Sequence, residues 1–307
     1  MSKSAARTTL AHRIFTGLPT RRLGKLIAEL GGPWEAQQQA RLRERRGRDR
    51  QRAEGAGPGH DLPFTDRVIA TLVILRFQLP HAALALWYKV DRSTITRAVG
   101  EIRPLLANRG FAVPGKPDLR LRTLADVFAY AAAEGVELRL DGTEVQVRRP
   151  KANRPGRRAF VSGKKKQNTG KATVISDDKG RMLWAGAIRP GRMHDVTAMR
   201  TEGIEDLLRR YPNVKAKVDS GYQGLARDFP DQVSAPPRKP AKDATPEEQV
   251  AYQAQRKTQS SQRICVEHAI AEPKAWRSLQ RYLGRREYFG ETFTAIAGLV
   301  SDRTAER

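Results

Sequence analysis

The chain has 307 residues, with 57 Lys and Arg against 33 Asp and Glu, a formal charge of +24 and an isoelectric point near 10.8. That length exceeds one typical domain, and a charge so far beyond the needs of solubility calls for a polyanion, nucleic acid first, because neutralised phosphates release counterions. The single cysteine, Cys265, excludes an intramolecular disulfide framework, and five scattered histidines argue against a zinc site. No apolar run approaches the roughly 20 residues that cross a bilayer, and the N-terminus lacks a signal-peptide core, so a cytoplasmic location is expected.

In chain order, apolar residues recur at helical spacing from Leu18 to Leu30, and Arg41 to Arg52 reads as a charged helix or a disordered arm. EGAGPGHD, from Glu54 to Asp61, is a Gly/Pro-rich linker or turn. Thr65 and Asp66 can cap a helix carrying Val68, Ile69, Leu72 and Leu75, and Pro80 suits the first turn of a second through Leu84 to Trp87. Asp91 can cap a third, with Ile95, Val99 and Ile102 as its buried stripe and Pro104 predicting an end near Arg103. Arg92, Ser93, Thr94, Thr96 and Arg97 are then left outside. Two short helices across a tight turn, the second with hydroxylated and Arg residues on its N-terminal half, are the layout of a helix-turn-helix DNA reader. An ordinary helical packing unit is the alternative.

After a connector from Asn108 to Pro117, Leu124 to Ala133 is helical. Strand patterns follow at Val136 to Asp141, Ala172 to Ser176, Met182 to Ala187 and Val214 to Asp219, with helical patterns at Val196 to Arg210 and Gln262 to Arg277. Strands with intercalated helices define an α/β domain.

Two strand ends carry aspartates in the same register. In VELRLD, alternation sets Glu137, Arg139 and Asp141 opposite Val136, Leu138 and Leu140, and in VKAKVD it sets Lys215, Lys217 and Asp219 opposite Val214, Ala216 and Val218. Gly142 and Ser220-Gly221 predict that each strand turns just after its aspartate. If the strands are neighbours the carboxylates converge, and a hard divalent cation resolves their repulsion. Glu267, in RICVEHAI, would complete the set from a helix.

LDGTE, DSGYQG and VEHAI, in this order, resemble the Asp-Asp-Glu transposases, specifically the insertion-sequence-five and Harbinger-like endonuclease group, from about Leu62 to Asp302. VDRSTITRAVGEI, the GKKK segment and the His194-Asp195 pair in PGRMHDVTAM resemble further elements of that group. The resemblance sharpens the fold to a ribonuclease-H-like catalytic domain, a mixed sheet with flanking helices, preceded by an α-helical helix-turn-helix domain. It implies catalytic metal ligands at Asp141, Asp219 and Glu267, holding Mg²⁺ or Mn²⁺, two ions, for in-line phosphoryl transfer on DNA. Lys274 would contact DNA from the helix of Glu267, although Pro273 predicts that this helix kinks or ends early. Double-stranded DNA, as transposon ends and target, is the implied partner, with a homodimer or larger assembly in the synaptic complex. A domesticated DNA-binding protein and a metal-dependent endonuclease without strand transfer are the rival readings. The expected organisation is a basic arm and linker over 1–60, the helix-turn-helix over 61–107, a connector and helix over 108–133, the catalytic domain over 134–302 and a tail over 303–307.

Between Glu144 and Asp177 there are ten Lys or Arg and no acid; Lys164, Lys165 and Lys166 in VSGKKKQ are expected to form a phosphate-binding strip. His194 and Asp195 are accessory candidates near the metals, with a helix cap as the other reading of Asp195. Tyr222 is expected to contact DNA or to pack, and Cys265 to be a small buried apolar residue.

Overall fold

The computed structural model describes residues 3–48, 59–149, 156–241 and 243–306, without the side chains of 117–118 and 259–264. Two compact units are present, Met1–Asn108 with Trp276–Ser278, and Arg109–Ala275 with Leu279–Arg307.

The first unit is helical: α1 Lys3–Leu10, α2 Arg13–Thr16, α3 Thr20–Arg46, α4 Phe64–Phe77, α5 His81–Tyr88 and α6 Arg92–Asn108. Its core joins Leu10, Leu23, Leu26 and Leu30 to Ile69, Leu72, Leu84, Ile95 and Ile102. The charged segment expected at Arg41 to Arg52 is helical through Arg46, and residues 49–52, with most of the expected linker, lie outside the described residues. Neither Thr65 nor Asp66 caps α4, whose N-cap is Pro63; Asp66 is fully buried and accepts from Arg7 Nε at 2.8 Å and Nη2 at 2.7 Å. The helix α6 runs past Pro104 to Asn108. Proline withholds one bond to the carbonyl of Gly100, on the exposed side, while Ile102 before it and Leu106 beyond it stay buried, and Leu106 holds the last turn.

The second unit opens with a hairpin that the sequence pattern did not reveal, β1 Phe111–Val113 and β2 Lys116–Leu121, followed by α7 Leu124–Glu134. Thr123 and Asp126 form a capping box at the start of α7, and Gly135 ends it at φ 64°. Next come β3 Leu138–Val147, β4 Thr169–Ser176, β5 Met182–Ala185, β6 Arg189–Pro190, α8 Asp195–Thr201, α9 Ile204–Arg210, β7 Ala216–Val218, α10 Gln223–Asp228 and β8 Val233–Ser234. The chain ends with α11 Pro246–Lys274, α12 Arg277–Gln280, β9 Arg281–Tyr282 and α13 Phe289–Thr304.

The sheet order is β5-β4-β3-β7-β8, with β6 added to β4 and β9 to β3. The β3-β4-β5 strands are antiparallel and β3-β7-β8 parallel, the ribonuclease-H-like arrangement of a mixed α/β domain. Phe289, Phe293, Ile296, Leu299 and Val300 of α13 are buried, as are Leu138, Leu140, Val145 and Val147 of β3. The helix expected over Val196 to Arg210 is broken at Gly203, which sits at φ 80°. The helix expected from Gln262 begins sixteen residues earlier, at Pro246, behind a Thr245–Glu248 capping box, and it ends one residue beyond Pro273.

Candidate active site

Strand pairing sets the site. In the parallel β3–β7 ladder Leu138 faces Ala216, Arg139 faces Lys217 and Leu140 faces Val218, so Asp141 and Asp219 are the next pair in register. Both carboxylates are half-buried. Asp141 Oδ1 accepts from the Gly142 amide at 2.7 Å, and Asp219 Oδ1 accepts from Ser220 N at 2.5 Å as the cap of a single 3-10 turn, Ser220–Tyr222.

The expected turn after Asp219 is present, but the one after Asp141 is not: β3 continues for six residues to Val147. Gly142 serves close approach instead. A Cβ there would lie 2.9 Å from Asp195 Oδ1 and 3.2 Å from the Tyr222 hydroxyl.

Glu267 is exposed on α11. On its N-terminal side the carbonyl of Cys265 lies against Gly180 in the β4–β5 turn; on its C-terminal side Ile270, Pro273 and Lys274 line a small cavity with Thr143, Val145 and Val174. Glu267, Ile270 and Lys274 share a helix face at i, i+3 and i+7. Among the described residues, however, no three His, Cys, Asp or Glu side chains gather as a metal-binding group, so the aspartate pair is assembled and Glu267 is not closed onto it. The donor chemistry fits a hard cation: two adjacent carboxylates, with a third carried by α11, are oxygen ligands of the kind that Mg²⁺ and Mn²⁺ take.

Lys274 is half-buried, and its ammonium is pushed below the usual lysine range, first by burial and then by Lys165, against the opposing pull of Asp141 and Glu144. Lys164, Lys165 and Lys166 are exposed on the hairpin before β4, where Lys166 adopts φ 54° and Lys165 Nζ donates to the Glu144 carbonyl at 3.3 Å. A basic strip therefore runs beside the second half of β3.

Of the two readings of Asp195, the helix cap is not met. His194 occupies the N-cap position of α8 without a side-chain cap bond, and Asp195 is the first residue of the helix, not its cap. Asp195 Oδ1 instead pairs with Lys171 Nζ at 2.7 Å. Lys171 carries no expectation from the sequence; its only trace there is its place within the acid-free basic stretch. Tyr222 packs: it is 1% exposed, and its hydroxyl is pushed well above the usual tyrosine range by burial, with further contributions from Asp195, Asp141 and Asp219. Cys265 is only half-buried.

In the helical unit, Arg92, Ser93, Thr96 and Arg97 are exposed at the start of α6. Thr94 is not outside as expected; it is 5% exposed, and its Oγ1 accepts from Arg97 Nη2 at 3.2 Å. Thr94, Ala98 and Glu101 are buried beside the stripe of Ile95, Val99 and Ile102, so the buried face is wider than the three apolar residues suggested. His81, which the sequence did not single out, lies 2.8 Å from the Thr96 hydroxyl through Nδ1; burial, Arg92 and Arg103 lower its pKa.

Residues 140–301 match the family model described as DDE superfamily endonuclease, and residues 60–112 match that of the helix-turn-helix of DDE superfamily endonuclease. The first match spans more than half of the chain. The chain belongs to the DDE superfamily endonucleases, and is an enzyme of the nuclease and transposase class acting on DNA, with a helix-turn-helix module for binding it. Divalent metal ions are general in this family. Among solved structures, a pre-cleavage Mos1 transpososome aligns at 12% identity over 98% of both chains with a TM-score of 0.21. The Mos1 mariner paired end complex with Mn aligns at 13% identity over 97% of this chain and 98% of that one, with a TM-score of 0.20. Likeness this slight places no residue. No curated protein matches.

Proposed function

We propose that the protein is a transposase that binds the terminal inverted repeats of its element and carries out metal-dependent strand cleavage and strand transfer. The observation that carries this reading is the parallel β3–β7 register, which makes Asp141 and Asp219 neighbours on a sheet whose family is endonucleolytic.

Asp141, Asp219 and Glu267 would hold Mg²⁺ or Mn²⁺, two ions, with Glu267 brought in by α11. When bound, such ions supply an activated attacking oxygen and charge stabilisation of the leaving one. The remaining work falls to the chain's own residues. Lys164, Lys165, Lys166 and Lys274 hold phosphates beside the aspartates, contributing affinity without sequence information. Arg92, Ser93, Thr96 and Arg97 read base edges from α6, with Thr94 positioning Arg97 through its hydroxyl. Tyr222, buried and protonated, supports the Asp219 turn and takes no part as a nucleophile.

Joining two ends requires that both be held together, so a homodimer or larger assembly on double-stranded DNA is the proposed working state, with a bacterial-type, nucleoid-associated location. The test is incubation of the purified chain with a fragment of its element's end and a target duplex, with and without Mg²⁺. Nicked and joined products are expected only with metal. Cleavage without joining would leave an endonuclease lacking strand transfer, and binding without cleavage a DNA-binding protein alone.

A further inference from the structure

Lys171, on β4, has its side chain only 9% exposed, and its ammonium meets oxygens from three neighbours among the described residues. Nζ donates to the Met193 carbonyl at 2.9 Å, pairs with Asp195 Oδ1 at 2.7 Å, and reaches Glu144 Oε1 at 3.4 Å. Glu144 is Lys171's own cross-strand partner in the β3–β4 ladder, and its Oε2 accepts from Thr169 Oγ1 at 3.0 Å. Asp195 in turn touches both carriers of the proposed metal ligands. Its Oδ1 lies 2.9 Å from where a Cβ of Gly142 would stand, and its Oδ2 lies 3.3 Å from the same point on Gly221. Gly142 follows Asp141 on β3, and Gly221 follows Asp219 by two residues. By strand alternation, Gly142 and Glu144 face away from Asp141, so Asp195 sits on the reverse side of the strand from the Asp141 carboxylate.

We propose that Lys171 and Asp195 are positioning residues: their ion pair is a strut, anchored in β4, that fixes the separation of Asp141 from Asp219. This rests on the reading of those aspartates as metal ligands. A buried ammonium with several oxygen contacts can hold in place a carboxylate whose own side chain is 38% exposed, and partners that orient metal ligands typically alter affinity by roughly 10–100-fold when lost.

The test is Mn²⁺ titration of the full chain, free ion followed by electron paramagnetic resonance, for the wild type, Lys171→Met, Asp195→Asn, Lys171→Arg and Asp141→Asn. Each is also melted in chelator. The expected result is binding by the wild type, loss in Asp141→Asn, weakening by roughly 10–100-fold in Lys171→Met and in Asp195→Asn, and recovery toward wild type in Lys171→Arg. If Lys171→Met does not fold, Asp195→Asn and Lys171→Arg carry the comparison. Wild-type affinity in Asp195→Asn overturns the strut while leaving the aspartate pair standing. Tighter binding by Lys171→Met also overturns it, because a released Asp195 would then be a ligand. No binding by the wild type, or binding that Asp141→Asn does not lower, counts against the metal site itself.

Discussion

Glu101 ties α6, the helix proposed to read DNA, to its neighbours, and replacing it with alanine tests how that helix is held. The carboxylate is 7% exposed on α6; its Oε2 accepts from Arg67 Nη1 at 2.8 Å and Trp34 Nε1 at 3.1 Å, and its Oε1 faces Arg41 Nη1 at 3.3 Å. Among the described residues Arg67, 6% exposed, keeps the Leu62 carbonyl, His60 and the Trp34 ring once Glu101 is gone, and none of these is anionic. Leaving one buried charge without its partner costs about 3–5 kcal/mol. A unit of about 100 residues loses roughly 4–8 °C of melting temperature per kcal/mol, so Glu101→Ala should lower its transition by on the order of 10–40 °C. Glu101→Gln, which keeps an acceptor, should lose less. The double change Glu101→Leu, Arg67→Met should recover much of the loss, because apolar replacement of both members of a buried pair is often near neutral. Helical circular dichroism against temperature, with fluorescence anisotropy on DNA, reads both effects. A melting temperature for Glu101→Ala within about 2 °C of wild type, below the loss of a single kcal/mol, would refute the assignment of this pair as the anchor of α6.

Arg97→Ala should reduce discrimination between the element's end and random DNA by about 1–3 kcal/mol, measured by competition binding. Thr94→Ala should act in the same direction but more weakly, since its buried hydroxyl serves Arg97 and not a base; equal weakening on both DNAs would reassign both residues to phosphate contact or folding. Alanine at Lys164, Lys165 and Lys166 together should flatten the log–log salt dependence by up to about three while keeping the preference for the cognate end, and an unchanged slope would make the hairpin a solvated loop. Gly142→Ala should cost about 1–3 kcal/mol, because its Cβ would meet Asp195 Oδ1 at 2.9 Å; a calorimetric transition of the second unit that does not move would show that Asp195 can step aside freely.

Much of this site was legible because strand alternation states the face of every residue. Leu138 and Leu140 against Asp141, and Ala216 and Val218 against Asp219, place the two acids in one register before any pairing is known. What alternation does not state is where a strand stops. A glycine after an aspartate reads as a turn, and at 221 it is in one; at 142 it lies mid-strand, where another carboxylate needs the room of a side chain. The first half of α11 was silent for a different reason: Glu247 to Arg263 is so polar that no apolar stripe marks it, and only Thr245-Pro246-Glu247-Glu248 announces its start. Pro104 misled because one missing bond on an exposed face is a small loss beside buried Leu106. Lys171 and Asp195 lie 24 residues apart in sequence, and no local pattern couples them.

The central claim, that Asp141, Asp219 and Glu267 act together as metal ligands in DNA cleavage, is tested most directly by one paired measurement on Asp141→Asn, Asp219→Asn and Glu267→Gln. Each is assayed for end binding by anisotropy and for strand cleavage at saturating Mg²⁺ on the same end fragment. Ligation needs ionised carboxylates, whereas end recognition is proposed to lie in the helix-turn-helix, so cleavage should vanish in all three while end binding stays near wild type. Substantial cleavage by any one of them would remove that residue from the site, and substantial cleavage by both aspartate variants would contradict the account.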